Sequence, residues 1–128
     1  MPHNALHRLW LALGALAGLT AVGLAAWAAH GAPARLDPGR LAMLANGIQM
    51  QGWHALALLA TGLWAERRGG WLPQLAGAAF VLGLILFCGG VYAVAIGGVS
   101  LGSVAPAGGM TLMAGWVLLL LSAIRQPR

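Results

Sequence analysis

Acidic residues and lysine are almost missing from this sequence. Its 128 residues include two acids, Asp37 and Glu66, and no lysine, so seven arginines give it a formal charge of +5. Charged residues make up 7% of the chain and hydrophobic residues 60%. A soluble domain of this size needs a largely polar surface, because small proteins have a high ratio of surface to volume. The composition therefore predicts a membrane protein and excludes an ordinary soluble domain.

Cysteine is also scarce, and this limits the chemistry. The single Cys88 excludes an intramolecular disulfide and a CxxC metal or redox pair. The two acids are not paired, and neither lies inside an apolar run, so we expect no enzymatic activity. The arginines stand at the ends of apolar runs, where they orient membrane spans, so nucleic-acid binding is not expected either.

Four segments are apolar enough to cross a bilayer, which requires about 20 residues each. We predict an all-α integral membrane four-helix bundle, a single domain over residues 1–128, with spans at about 9–30, 46–65, 75–98 and 108–124. Asp37 followed by Pro38 is a typical helix start. A helix from Pro38 to Ala65 would be longer than the hydrocarbon core is thick, so we expect residues 38–46 to be an interfacial helical stretch.

The distribution of arginine predicts the orientation. Four spans put five arginines on one side (Arg8, Arg67, Arg68, Arg125 and Arg128) and two on the other (Arg35 and Arg40). Cytoplasmic segments carry the excess of positive charge, so both termini are predicted to be cytoplasmic. The bias argues against a dual-topology protein.

Small residues at four-residue spacing mark predicted helix contacts. Examples are Gly14 and Gly18 in the first span, and Gly83 and Gly97 in the third, which follow Ala79 and Ala93 by four residues. In lipid, such residues let two helix backbones approach closely.

A polar stripe runs along the second span. Its residues recur at intervals of four, three, four and three: Gly47, Gln51, His54, Leu58 and Thr61. This spacing is one helix face, which should turn toward the other helices because lipid cannot satisfy polar groups. Counting about 1.5 Å per residue puts His54 and Tyr92 at nearly the same depth, so we predict a hydrogen bond between them, direct or through one water or Gln51. His30 should lie at the outer interface, about 11 Å above His54.

Two interpretations of the set His54, Gln51, Tyr92 and His30 remain open. It is either a satisfied polar cluster that fixes the helices or the lining of a ligand pocket, and a proton-handling role is a further alternative. The difference in depth excludes a haem held between His30 and His54, and too few ligands are available for zinc. We therefore predict no metal and no cofactor. His3 and His7 are expected to be solvated.

Several short motifs occur in an order that resembles a known family. They are Ala29-His30-Gly31, the run Trp53-His54-Ala55-Leu56-Ala57-Leu58-Leu59, Leu86-Phe87-Cys88-Gly89-Gly90-Val91-Tyr92, Pro106-Ala107-Gly108-Gly109, and Gly115-Trp116. The chain resembles the domain-of-unknown-function 423 family, the small four-helix membrane proteins of the YwdK and YgdD type. Cys88 and Ala105 depart from the serine and threonine of the family pattern. The resemblance implies a bacterial inner-membrane location and no known activity.

These features predict a non-enzymatic multi-pass membrane protein that contacts the lipid bilayer. Our leading hypothesis is an accessory component of a larger membrane complex or a homo-oligomer. The alternative is a carrier or binding protein for a small amphipathic ligand, of lipid or quinone type, in an outer-leaflet pocket around His54. A channel would need a polar path, and the stripe of Gln51, His54 and Thr61 fades toward the cytoplasm.

Overall fold

The computed structural model describes residues 4–126, which form four α-helices. Helix α1 is Asn4–His30, α2 is Pro38–Arg68, α3 is Leu72–Ala95 and α4 is Val104–Ile124, and a short 3₁₀ turn at Ala32–Ala34 follows α1. Helices α1, α3 and α4 are each long and apolar enough to cross a membrane. The predicted all-α class is confirmed. Helix α2 is the most polar of the four, because its N-terminal half carries Arg40, Asn46, Gln49 and Gln51.

The start of α2 matches the prediction from the sequence. The Asp37 side chain accepts a hydrogen bond from the Arg40 backbone N–H at 2.9 Å, and Pro38 occupies the first turn. The helix continues without a break through residues 38–46. It ends at Arg68, three residues beyond the predicted limit, because Gly69 and Gly70 adopt φ values of 75° and 80° that favour glycine.

Each helix packs against its neighbour in the sequence, and α1 touches α3 only slightly. Two of the glycines predicted from the spacing lie where backbones approach closely. A Cβ on Gly14 of α1 would lie 2.9 Å from the Ala55 carbonyl oxygen of α2, and one on Gly83 of α3 would lie 2.9 Å from the Leu112 nitrogen of α4. The small-residue prediction holds at these two positions. The prediction is wrong for Gly97. This residue is exposed beyond the end of α3, and a Cβ on it would meet only Ala93, four residues earlier in the chain.

The polar stripe predicted for α2 faces the bundle. All five of its residues are buried, including Gln51, His54 and Thr61. They lie beside a core that includes Phe80, Leu84 and Leu112. Large apolar side chains instead cover the outside, as in a protein surrounded by lipid: Leu19, Val22 and Ile124 are 70%, 71% and 71% exposed.

Candidate functional site

His54 of α2 is packed against α3 and α4 and is only 2% exposed. Its Nδ1 lies 2.7 Å from the carbonyl oxygen of Met50, and its Nε2 lies 3.0 Å from the indole nitrogen of Trp116 on α4. An indole N–H can only donate, so Nε2 accepts and the proton resides on Nδ1, which donates to Met50. The ring is a neutral imidazole with both nitrogens in use.

Two aromatic rings enclose this imidazole. The His54 ring lies 5.7 Å from Phe80 of α3 and 5.7 Å from Trp116, while Phe80 and Trp116 meet edge to face at 5.1 Å. Gly115 permits this contact, because a Cβ there would lie 2.7 Å from the Phe80 ring. The aromatic cluster (His54, Phe80 and Trp116) therefore joins α2, α3 and α4.

A second set of side chains, linked by hydrogen bonds, joins α1, α2 and α3. The Tyr92 hydroxyl donates to the Gln51 side-chain oxygen at 2.8 Å. The Gln51 amide nitrogen donates to the Ala17 carbonyl at 2.9 Å and to the Thr20 hydroxyl at 2.7 Å. We call Gln51, Tyr92 and Thr20 the amide cluster. Its central amide is fully paired, so it acts as a hydrogen-bonded link among three helices.

The predicted hydrogen bond between His54 and Tyr92 is wrong. Gln51 and His54 are three residues apart on α2, so their side chains point about 60° apart around the helix. Gln51 turns toward α1 and α3, and His54 turns toward α3 and α4. Tyr92 lies beside Gly47 and Gln51, nearer the start of α2 than His54, so both the depth and the rotation around α2 separate His54 from Tyr92.

Of the four predicted site residues, His30 takes no part in either cluster. It is the last residue of α1 and is exposed. Thr61, at the other end of the stripe, is fully buried and donates to the Ala57 carbonyl at 2.7 Å. His54 and Thr61 are therefore packed inside the bundle, and Gln51, although buried, borders an apolar groove.

An apolar groove lies beside the amide cluster, between α1 and α3. Its volume is about 350 Å³, and its walls include Leu13 and Leu16 of α1 and Leu84 and Ile85 of α3. Gln51, Thr20 and Cys88 also line it, whereas His54 does not. A hydrocarbon chain fits the chemistry of these walls.

Another part of the bundle holds a hollow of about 430 Å³, whose lining includes His7, Glu66 and Gln74. His7 is buried beside it, with Nε2 at 3.5 Å from a carboxylate oxygen of Glu66. The expectation of a solvated His7 is wrong, because α1 begins at Asn4 and seats this residue against α2. His3 lies outside the described residues. Trp10 donates to Gln74 at 2.7 Å nearby and fixes α1 to α3.

Two of the arginines that predict the membrane orientation also bind the ends of helices. Arg40 donates to the carbonyls of Ala95 and Ile96 at the end of α3, both at 2.9 Å. Arg68 donates to Ser122 at 2.6 Å and to Arg125 at 3.1 Å, at the end of α4. A cation at a helix C-terminus satisfies unpaired carbonyls and opposes the negative end of the helix dipole. The two arginines hold α3 and α4 to the two ends of α2.

The loop between α3 and α4 contains a string that matches a catalytic motif. Residues 98–102 read GVSLG, which matches the G-x-S-x-G string of serine hydrolases. That motif works at a sharp turn between a strand and a helix, but here it lies in the loop between α3 and α4. Ser100 is exposed, and its hydroxyl accepts a bond from the Gly102 backbone N–H at 3.3 Å. The setting is not that of a nucleophile.

Comparison with known proteins agrees with the resemblance seen in the motifs. The model of a family described as a protein of unknown function, DUF423, matches residues 24–109. The UPF0382 membrane protein YwdK of Bacillus subtilis is 30% identical, over 92% of this chain and 98% of its own length. The UPF0382 inner membrane protein YgdD of Escherichia coli K12 is 31% identical, over 94% and 93%. A UPF0382 membrane protein of Haemophilus influenzae is 33% identical, over 86% and 89%.

No solved structure matches the chain. Three helices suited to a bilayer, a lipid-like exterior and these relatives agree with one another. The chain is a membrane protein and belongs to the DUF423 family.

Proposed function

We propose that this protein is a non-catalytic structural component of the bacterial inner membrane, which acts by associating with copies of itself or with a larger membrane complex. The location follows the name of the E. coli relative. The predicted orientation, with both termini in the cytoplasm, belongs to the same proposal and rests on the five arginines of that side.

One observation supports this proposal above the others. Within residues 4–126, every buried side-chain nitrogen and oxygen has a hydrogen-bond partner. Polar groups of the interior form hydrogen bonds between helices, as Tyr92 does with Gln51 and Trp116 with His54. A catalytic or transport site needs polar groups that are free to meet a substrate. The interior has the character of a rigid scaffold, which leaves function to its surfaces.

Native mass spectrometry of protein extracted in mild detergent tests the proposal. We expect a fixed oligomer or a stoichiometric complex with a second protein. A bare monomer at all detergent and protein concentrations would contradict it. His54→Ala should reduce the stability of the fold without removing any bound small molecule.

A second candidate is binding of a lipid-type ligand, and the groove between α1 and α3 favours it. The groove is almost wholly apolar and has the polar Gln51 and Thr20 at one point of its wall, which suits an amphipathic molecule. The site we propose for this alternative is centred on Gln51, because His54 is enclosed by Phe80 and Trp116.

The two candidates differ in what co-purifies. A ligand in the groove should appear as a mass adduct that Leu16→Trp removes, because the indole would fill the groove. Leu19→Trp is the matched control, since Leu19 is exposed on the same helix but does not line the groove. Equal loss in both variants, or no adduct in the wild type, would count against the ligand.

A further inference from the structure

The face of α2 that points away from the bundle has a regular pattern. Its exposed residues recur at alternating intervals of four and three along more than 20 residues: Ala42, Asn46, Gln49, Trp53, Leu56, Ala60, Leu63 and Arg67. This is the spacing of a seam between two supercoiled helices. We call these residues the outer seam. Trp53 and Leu56 within it are 57% and 67% exposed.

Two amides in the outer seam have no partner in the described chain. Asn46 and Gln49 are exposed, and neither forms a hydrogen bond with another side chain or with the backbone of residues 4–126. Gln51, two residues further along the same helix, makes three hydrogen bonds to α1 and α3. The difference arises from their faces, because Gln49 points outward and Gln51 inward.

The unpaired Gln49 lies below the outer edge of the apolar surface. Gly47, one half-turn earlier, faces Tyr92 and Val91 of α3. Beyond that level α3 continues to Ala95, and the exposed apolar side chains extend further to Ile96 and Val99, which are 41% and 55% exposed. An amide at such a depth that faces lipid cannot satisfy its N–H and C=O groups.

A second copy of this chain supplies the missing partners. A carboxamide both donates and accepts, so two identical amides can pair with each other. A twofold axis along the membrane normal brings equivalent residues of two copies to the same depth. This requires both copies to have one orientation, as the arginine bias predicts. We propose that the outer seam is a parallel, twofold interface between two copies of this protein, with Gln49 paired to its equivalent near the axis.

Helix α3 offers the contrast. Its outward face also repeats at intervals of three and four but holds only apolar residues and glycine: Leu75, Ala78, Leu82, Ile85 and Gly89. Lipid alone is a sufficient neighbour for such a face. The polar residues distinguish the seam on α2 from an ordinary lipid-facing surface.

Cysteine cross-linking in native membranes tests the interface. In a Cys88→Ala background, Gln49→Cys should form a disulfide-linked dimer under mild copper-phenanthroline oxidation. Gly89→Cys is the matched control, because Gly89 lies at a similar level on α3 and a side chain there meets nothing within 4 Å. The proposal predicts cross-linking at residue 49 and little at residue 89. Equal cross-linking at both, or a preference for residue 89, would overturn it.

A second variant checks the amide itself. Gln49→Leu should weaken the dimer about three- to tenfold in dissociation constant, as expected for the loss of a hydrogen bond between membrane helices. Its thermal stability as a monomer should stay near that of the wild type, because Gln49 bonds nothing within the bundle.

This inference rests on the proposed function, but the two can fail separately. A wild-type dimer whose affinity is unaffected by Gln49→Leu would refute the outer seam as the interface. It would remain consistent with the proposed function as an oligomer. A stoichiometric complex with a different protein seated on α2 would also refute the seam as a contact between copies. A strict monomer would refute both.

Discussion

At the scale of single residues, hydrogen-bond direction decides what His54 does. The donor-only indole of Trp116 sets the tautomer, and the Met50 carbonyl takes the remaining N–H. Both nitrogens are thereby committed within the protein. His54 joins two helices, and its neutral ring completes an aromatic cluster at the centre of the molecule.

His54→Ala should lower the free energy of unfolding by about 2–4 kcal/mol. The change empties a packed site and leaves the Trp116 N–H without a partner. Equilibrium unfolding with sodium dodecyl sulfate in mixed micelles measures this loss. His30→Ala is the control and should change stability by less than about 0.5 kcal/mol, because His30 is exposed at the end of α1. A larger effect at residue 30 than at residue 54 would contradict the assignment.

At the scale of helices, α2 organises the others through its two ends and its buried face. Arg40 holds the end of α3, and Arg68 holds the end of α4 on the opposite side of the bundle. Trp64 adds a bond to Ser122 at 2.9 Å. These contacts explain why the most polar helix packs among more apolar ones.

Arg68→Lys should reduce stability by about 1–2 kcal/mol. Lysine keeps the charge but cannot present the planar fork that reaches the carbonyls of Ser122 and Arg125 together. The same unfolding titration detects the change. Arg67→Lys, next to it but exposed, should be close to neutral. Equal losses in the two variants would mean that charge, and not the fork geometry, carries the effect.

The packing of α3 on α4 depends on Gly108, which lies closer to a neighbouring backbone than Gly14 or Gly83 does. A Cβ on Gly108 would overlap the backbone of Phe87, so Gly108→Ala should force the helices apart and cost about 1–3 kcal/mol. Gly23→Ala on α1, where a Cβ meets nothing within 4 Å, should be neutral or slightly stabilising because alanine favours a helix. Thermal unfolding in detergent compares the two, and a Gly108→Ala protein as stable as the wild type would refute this close approach.

At the scale of the whole molecule, charge and lipid set the orientation. With five arginines on one side and two on the other, we expect both termini in the cytoplasm. A green fluorescent protein fused after Arg128 should fluoresce, and alkaline phosphatase at the same position should be inactive. A fusion that reports the periplasm would reverse the assignment. Comparable signals from both reporters would indicate dual topology.

Features that depend on local chemistry can be predicted from the sequence alone. Apolar length predicted the helices, Asp37 with Pro38 predicted the start of α2, and the spacing from Gly47 to Thr61 predicted its buried face. Each follows from the periodicity of one helix in lipid or from bonds between residues close in the chain. Only the order of the short motifs, taken together, predicted the family.

Which polar groups meet depends on how the four helices pack. The rotation and offset of a helix depend on all of its neighbours, so Tyr92 met Gly47 and Gln51, whereas His54 met Trp116. His7 with Glu66, and Arg68 with the end of α4, were missed because their partners lie more than 50 residues away. The sequence predicts which residues share a helix face, and packing fixes the residues that each face meets.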